Sequence, residues 1–435
     1  MPDNTEVDAG SGTPRLRTPQ RDQVAYRAWC WNDLLPADHQ ARIVWAFVKD
    51  LDLSPLYKRI KAVERNAGRS AIDPRILTSL WLYAALRGVG SARELNRRCD
   101  PETGEVPFLW ICGEVTVNYH TLADFRTEHV ELLDEILTNS VAVLMQEGLV
   151  TLDRVAQDGM KVRASAGAAS FHRRPTLEEH LEEARQQIEA LKQELESDPA
   201  AGNRRQQAAR ERAARERAER LQKALEQLQE VEQKKKDEEE KAKARASATD
   251  PEARNMKMPD GGYRPAYNVQ LATDTESQII TGVDLTNSGG DQGQMAPMVE
   301  QHVERYEQPP KEMLVDGGFV KKDDIEQVSP PEGKTTVYAP VQKAKKADLD
   351  PHTPRENDSP AVAAWRQRMA TAEAKEIYKE RAATAECVNA ILRNQGLYQV
   401  RVRGAPKALA VVLWHVLAHN LIRAATLRAA QARKS

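Results

Sequence analysis

Residues 267–286 read YNVQLATDTESQIITGVDLT. Apolar and polar positions alternate on both sides of DTES with the period of two that a pleated strand imposes, and β-branched residues are frequent, so a hairpin of about eight residues per strand is expected. Upstream, VTLDRVAQDGMKVRA (150–164) is a further strand-patterned run that breaks at Asp158-Gly159. Downstream come a helix in GDQGQMAPMVEQHVERY (290–306) and a short apolar strand in KEMLVDGGF (311–319), which ends at Asp316-Gly317-Gly318. A Pro-rich loop, the strand TTVYAPV (335–341), a charged linker over 343–360 and helices over 361–394 and 406–430 complete this half of the chain. Strands alternating with helices predict an α/β unit with a mixed sheet.

The remaining sequence divides by composition. Residues 1–24 have the composition of a disordered tail, and 25–150 are helical in pattern. Asp73-Pro74 is a capping aspartate before a first-turn proline, Gly88 and Gly90 end the helix PRILTSLWLYAAL, and Ser91 with Glu94 forms a capping box for the next. Two helices across a glycine turn suit either a helix-turn-helix on DNA or an ordinary helical hairpin. Over 177–246, Leu177, Leu181, Ala184, Ile188, Leu191 and Leu195, and later Ala214, Ala218, Leu221, Leu225 and Leu228, repeat at spacings of four and three. With the turn signal SDPAAGN (197–203) between them, the two runs predict an antiparallel coiled-coil hairpin inserted into the α/β unit, which then comprises 151–176 and 255–430. Residues 431–435 form a basic tail.

Charged residues make up 29% of the 435 and the formal net charge is −2, so bulk charge says nothing of the partner. Its distribution says more. After Glu386 there is no acidic residue, while Arg393, Arg401, Arg403, Lys407, Arg423, Arg428, Arg433 and Lys434 follow, a cationic end suited to phosphate or to a solvated tail. The four cysteines are far apart without CxxC spacing, which argues against a zinc knuckle or a disulfide scaffold. The first thirty residues lack the apolar stretch of a signal peptide, and no apolar run approaches the length of a bilayer span, so a cytoplasmic, nucleoid-associated protein without membrane contact is expected.

Without the inserted hairpin, the order of three strands, helix, strand, helix, strand and helix is that of a ribonuclease-H-like domain beside an all-α N-terminal domain. Asp158 and Asp316 then lie at strand ends and Glu386 in the helix AEAKEIYKERAATAECVNAILRN (372–394), where three carboxylates can meet at the sheet edge. Hard oxygen ligands leave part of a Mg²⁺ shell to water and phosphate, and two such ions can clamp an in-line phosphoryl displacement. Lys379, Glu386 and Arg393 are seven apart and drift only about 20° along one helical face, whereas Arg381 lies about 140° from Glu386 and is expected to brace the helix.

The chain resembles a DDE transposase of bacterial insertion sequences, of the insertion-sequence 1182 type with an N-terminal helical domain and a Tyr-Arg-Glu-Lys signature. Tyr378, Arg381 and Glu386 match that signature, and DGMKVRA, YNVQLATD, VDGGF and LWHVLAHNLIRAA resemble its other blocks, over roughly residues 40 to 430. Arg393 stands where the signature has lysine, and the gap from Arg381 to Glu386 is one residue longer than its commonest form. A shifted alignment would make Glu380 or Glu376 the third acid. The resemblance implies that Asp158, Asp316 and Glu386 bind two Mg²⁺ ions, or Mn²⁺ in their place, to cut double-stranded DNA at the inverted repeats of the element ends and join the freed 3′-hydroxyl to target DNA. It also implies phosphate contacts from Lys161, Arg163, Lys379 and Arg393, repeat recognition by Arg93, Arg97 and Arg98, support from Tyr378 and Asp291, and a homodimer that synapses two ends. Competing readings are a domesticated, non-catalytic DNA-binding protein and a structure-selective nuclease. His415 and His419, in an apolar helix, are expected in the core, and His120 to cap or pack.

Overall fold

The computed structural model describes residues 30–61, 70–197, 204–329, 335–342 and 350–434, leaving aside the side chains of 195–205. The expected tail over 1–24, the turn over 198–203 and the first part of the linker, 343–349, lie outside the described residues.

Among the described residues, seven α-helices come first: α1 (Gln40–Asp50), α2 (Ser54–Tyr57), α3 (Pro74–Leu86), α4 (Ala92–Arg98), α5 (Val106–Cys112), α6 (Tyr119–Thr127) and α7 (Val130–Gln146). Their starts are chemical. Asp73 Oδ1 accepts from the Arg75 amide at 2.8 Å and opens α3, and Asn118, not His120, caps α6 by accepting from the Thr121 amide at 3.0 Å. Strands β1 (Arg154–Arg163) and β2 (Phe171–His172) precede α8 (Arg174–Ser197), α9 (Arg204–Gln233) and α10 (Glu238–Ala242). Then follow β3 (Ala246–Ser247), β4 (Arg254–Lys257), β5 (Tyr263–Asp274), β6 (Ile280–Thr286), α11 (Met295–Tyr306), β7 (Glu312–Leu314), α12 (Lys322–Val328) and β8 (Thr336–Tyr338). The chain ends in α13 (Pro360–Ala370), α14 (Ala372–Arg381), a π turn (Ala382–Glu386), α15 (Cys387–Asn394) and α16 (Ala405–Ala432). The helical run expected over 361–394 is thus broken at Thr371, whose hydroxyl caps α14 by accepting from the Ala374 amide at 3.1 Å.

β5 is the central strand and is buried from Pro265 to Asp274, so its polar residues need internal partners. One edge of β5 carries β4 and β6; the other carries β1, then β7 and β8. β1, β5 and β6 are antiparallel neighbours, whereas β1, β7 and β8 run parallel, with α11 and α12 as the crossovers. The free edge of β6 is closed by α16, whose Asn420 amide accepts from the Ile280 amide at 2.9 Å and donates to its carbonyl at 2.7 Å, in place of a further strand.

α16 packs against α1, α3, α6, α7 and β6, so the N-terminal helices and the sheet share one apolar core that runs from Leu35 to Ala424. By length and composition this helix is apolar enough to cross a membrane, contrary to the sequence-based expectation, yet 78% of its apolar window is buried inside the protein. His415 and His419 lie in that buried stretch; burial pushes His415 down to about 4, and His419 Nε2 meets the Gln278 carbonyl at 3.0 Å.

α8 and α9 pack side by side away from this core. Leu177, Leu181 and Ala184 meet Leu221, Ala224 and Leu228 in a second, smaller cluster, and the pairs Arg174–Glu232 and Glu183–Arg217 show that the helices run in opposite directions.

Candidate active site

Asp158 is not at a strand end. β1 runs unbroken through Asp158-Gly159 and pairs with β5 as far as Arg163. Here the glycine has a packing role rather than a turn role: a β-carbon added to Gly159 would stand 2.0 Å from Asp291 Oδ1 and 2.8 Å from Gln270 Nε2. Asp291 lies against that bare backbone and accepts from Asn268 Nδ2 at 2.7 Å and Gln270 Nε2 at 2.8 Å, while Gln157 Nε2 bonds Gln270 Oε1 at 3.0 Å.

Asp316 reaches Asp158 through strand register. β7 lies parallel to β1 with Ala156 opposite Leu314, so two residues further on Asp158 faces the position of Asp316, on the same side of the sheet. Adjacent strands are about 4.8 Å apart, and these diverge here because β7 ends at Leu314. Asp316 Oδ1 accepts from the Gly318 amide at 2.7 Å, which turns the chain away and leaves the edge of β1 open until Arg163 bonds Tyr398 and Val400.

The helical segment over this opening carries Glu386. The five-residue π turn falls between Arg381 and Glu386, where the sequence has one residue more than the signature it resembles. A π turn closes i→i+5, so it absorbs the extra residue and returns Arg381 to the face of Glu386, correcting the 140° separation expected from a uniform α-helix. Arg381 NH2 donates to Glu386 Oε1 at 3.1 Å, and NH1 stands 3.7 Å from Asp158 Oδ1. The same turn carries Lys379 off the face of Glu386 by roughly 100°; Lys379 pairs instead with Glu376 at 2.6 Å. Arg393, beyond the turn, keeps its seven-residue spacing from Glu386 and is exposed.

Burial is the first cause that pushes the Asp158 carboxyl up, to about 6; Arg381 offsets part of it, and the negative charges of Asp316 and Asp291 add to it. Tyr378, half-buried, is raised chiefly by burial, with Arg381 opposing and the two aspartates adding. Glu386 has a side chain 59% exposed, against 19% for Asp158, so its carboxylate faces the approach from solvent.

Other candidates are placed elsewhere. Lys161 and Arg163 alternate with Asp158 along β1 and project from the opposite face, the one carrying Asp291. Glu380 is bound by Arg154 at 2.6 Å at the other end of β1, where Arg154 also meets Glu312 at 2.6 Å. Arg98 is held by Glu94 and Glu105 at 3.0 and 2.9 Å, Arg97 by Glu94, and Arg93 lies 5.3 Å from the Tyr119 ring. Sequence reasoning missed Asn389, whose Nδ2 donates to Asp158 Oδ2 at 2.9 Å. Its signal was spacing, three residues after Glu386 on a helix that faces the site.

Deleting exposed Ala383 should convert the π turn into α-helix and keep Arg381 facing the glutamate. Thermal melts should then show a midpoint equal to or above that of the parent, whereas deleting exposed Ala390 turns Leu392 out of the core and lowers it by several degrees. Equal damage from both deletions would refute the role given to the turn.

Among the described residues, no three His, Cys, Asp or Glu side chains stand close enough to enclose a metal ion. The donor chemistry nonetheless suits a hard divalent cation. Asp158, on β1, and Asp316, just past the end of β7, offer carboxylate oxygens, and the rise at Asp158, caused first by burial and added to by Asp316 and Asp291, is only partly offset by Arg381.

Residues 29–128 match the family model described as Transposase domain (DUF772), and residues 238–421 match Transposase DDE domain. The second match contains Asp316 and Glu386; Asp158 lies between the two. No curated protein and no solved structure matches the chain. The chain carries two transposase domains, the second of the DDE type, and together they support a DDE transposase, an enzyme acting on DNA.

Proposed function

We propose that this chain is an insertion-sequence transposase of the 1182 type that cleaves DNA at its element ends and transfers the freed 3′-hydroxyl to target DNA. The observation that carries this reading is the parallel register of β1 and β7, which sets Asp158 beside Asp316, together with the π turn that ties Glu386 to Asp158 through Arg381. The strand order β6-β5-β1-β7-β8, antiparallel on one side of β1 and parallel on the other, supports a ribonuclease-H-like core.

In this reading Asp158, Asp316 and Glu386 would hold two Mg²⁺ ions, which would supply positive charge for the phosphoryl transfer. The chain's own residues do the positioning. Asn389 orients the Asp158 carboxylate by donating to one oxygen and leaves the other beside Arg381. Asp291 fixes β1 from behind through Gly159. Arg393 supplies salt-dependent affinity for the DNA backbone, whereas Arg423 and Arg428 are engaged by the Ser277 carbonyl and Glu147. Arg93 and Arg97 on α4 face the element end, and a homodimer brings two ends together. Arg98, already engaged by two glutamates, keeps α4 against α5.

The test uses the full chain, Mg²⁺ and linear DNA carrying the inverted repeats that bracket its reading frame. Cleavage at the repeat ends and joining to a second DNA are expected, and both should be lost in EDTA. Cutting of branched DNA without joining would establish a structure-selective nuclease instead. Binding without any nick would establish a non-catalytic DNA-binding protein.

A further inference from the structure

The carboxylate cluster contains its own cation. Arg381 is largely buried, with a side chain 13% exposed, and it is the group through which Asp158 and Glu386 are connected. Its two ends are unequally held. NH2 makes a hydrogen bond to Glu386 and the Tyr378 hydroxyl lies beside the guanidinium, whereas NH1, buried with no hydrogen bond of its own, only approaches Asp158, at 3.7 Å. A buried guanidinium N–H left without a hydrogen bond is unfavourable, so the contact with Asp158 is not an optimised ion pair. The guanidinium stands within 3.7 Å of one acid and 3.1 Å of another, so it lies between Asp158 and Glu386.

We propose that Arg381 is a displaceable counter-ion, seated at the cation position of the Asp158–Asp316–Glu386 cluster, and that a divalent metal completes its site by driving the guanidinium out. The inference rests on the functional reading above and adds a regulatory step to it. Once displaced, the planar guanidinium is available to a DNA phosphate at the same opening. Metal entry and backbone contact are then coupled: DNA that engages Arg381 favours the metal-loaded arrangement, and in the metal-free protein Arg381 offsets part of the carboxylate charge.

Arg381→Gln removes the charge and keeps polarity and length near those of the parent. Calorimetry with Mn²⁺ alone, on the full chain without DNA, should show binding tightened about tenfold or more in R381Q, because a competing unit charge beside the site is gone. A merely bracing arginine gives the opposite sign, since its loss loosens the helix and weakens binding. A second readout uses the unaltered protein: arginine-selective dicarbonyl labelling, mapped by mass spectrometry, should modify Arg381 slowly without Mn²⁺ and several-fold faster with it. Equal or weaker Mn²⁺ binding in R381Q, or labelling that is unchanged or slowed by Mn²⁺, overturns the counter-ion and leaves the carboxylate site standing. Absence of Mn²⁺ binding in both proteins overturns the site and the counter-ion together.

Discussion

Replacing Asp158 with asparagine is expected to abolish DNA cleavage, by about 10³-fold or more, and to stabilise the metal-free protein at pH 8. The two effects have one origin. In the folded protein the Asp158 carboxyl is pushed up to about 6, against an ordinary value near 3.8. Below pH 4 both folded and unfolded chains are protonated at this position, and no penalty exists. Between pH 4 and 6 the unfolded chain releases its proton while the folded one holds it, so stability falls as pH rises through that window. Above pH 6 the penalty is constant, at about 3 kcal/mol for two pH units. Asparagine cannot ionise, and its carbonyl still accepts from Asn389. Melting curves in EDTA should show D158N above the parent at pH 8 by several degrees, with the gain vanishing near pH 4. A loss of stability at pH 8, or cleavage at the parental rate, would remove Asp158 from the site.

Gly159→Ala is the substitution expected to damage the fold most for its size. The new methyl would stand 2.0 Å from Asp291 Oδ1 and 2.7 Å from its Cγ, so Asp291 must move. Moving it breaks its bonds to Asn268 and Gln270, which are themselves buried and without another acceptor for those amide groups. Overpacking contributes about 1–3 kcal/mol and the stranded donors a similar amount, so a loss on the order of 3 kcal/mol or more is expected in urea denaturation. Because β1 carries Asp158 next door, cleavage should fall with it. Asp291→Ala alone should also cost stability, but in the Gly159→Ala background it should cost less than by itself, since the collision is gone. Strict additivity of the two losses would show that Gly159 and Asp291 do not press on each other.

Much of this organisation was legible in the chain itself. Alternation and β-branched residues mark the hairpin of β5 and β6, Asp73-Pro74 and Ser91 mark helix starts, and the leucine and alanine spacing marks the paired α8 and α9. These signals are local: a period of two, a cap or a seam of apolar residues is written within a few residues and needs no distant partner to be read. Asp316 and Glu386 could be singled out for the same reason, from an Asp-Gly-Gly turn and from the residues around one helix.

What only the tertiary structure decided depends on contacts between segments far apart. Asp158-Gly159 has the composition of a turn, yet it is mid-strand, because Asp291, more than a hundred residues later, fills the space a side chain would take. Lys161 and Arg163 fall on the face away from Asp158, since an unbroken strand alternates where a broken one would have reoriented them. Arg381 joins Glu386, and Lys379 leaves it, because packing on both flanks of the helix fixes its ends and forces one surplus residue into a π turn. The N-terminal helices share a core with the sheet because α16 has apolar residues on every side and needs partners from both. Sequence periodicity specifies which elements form and which of their faces are apolar; the position of an individual charge follows from how those faces are satisfied against one another.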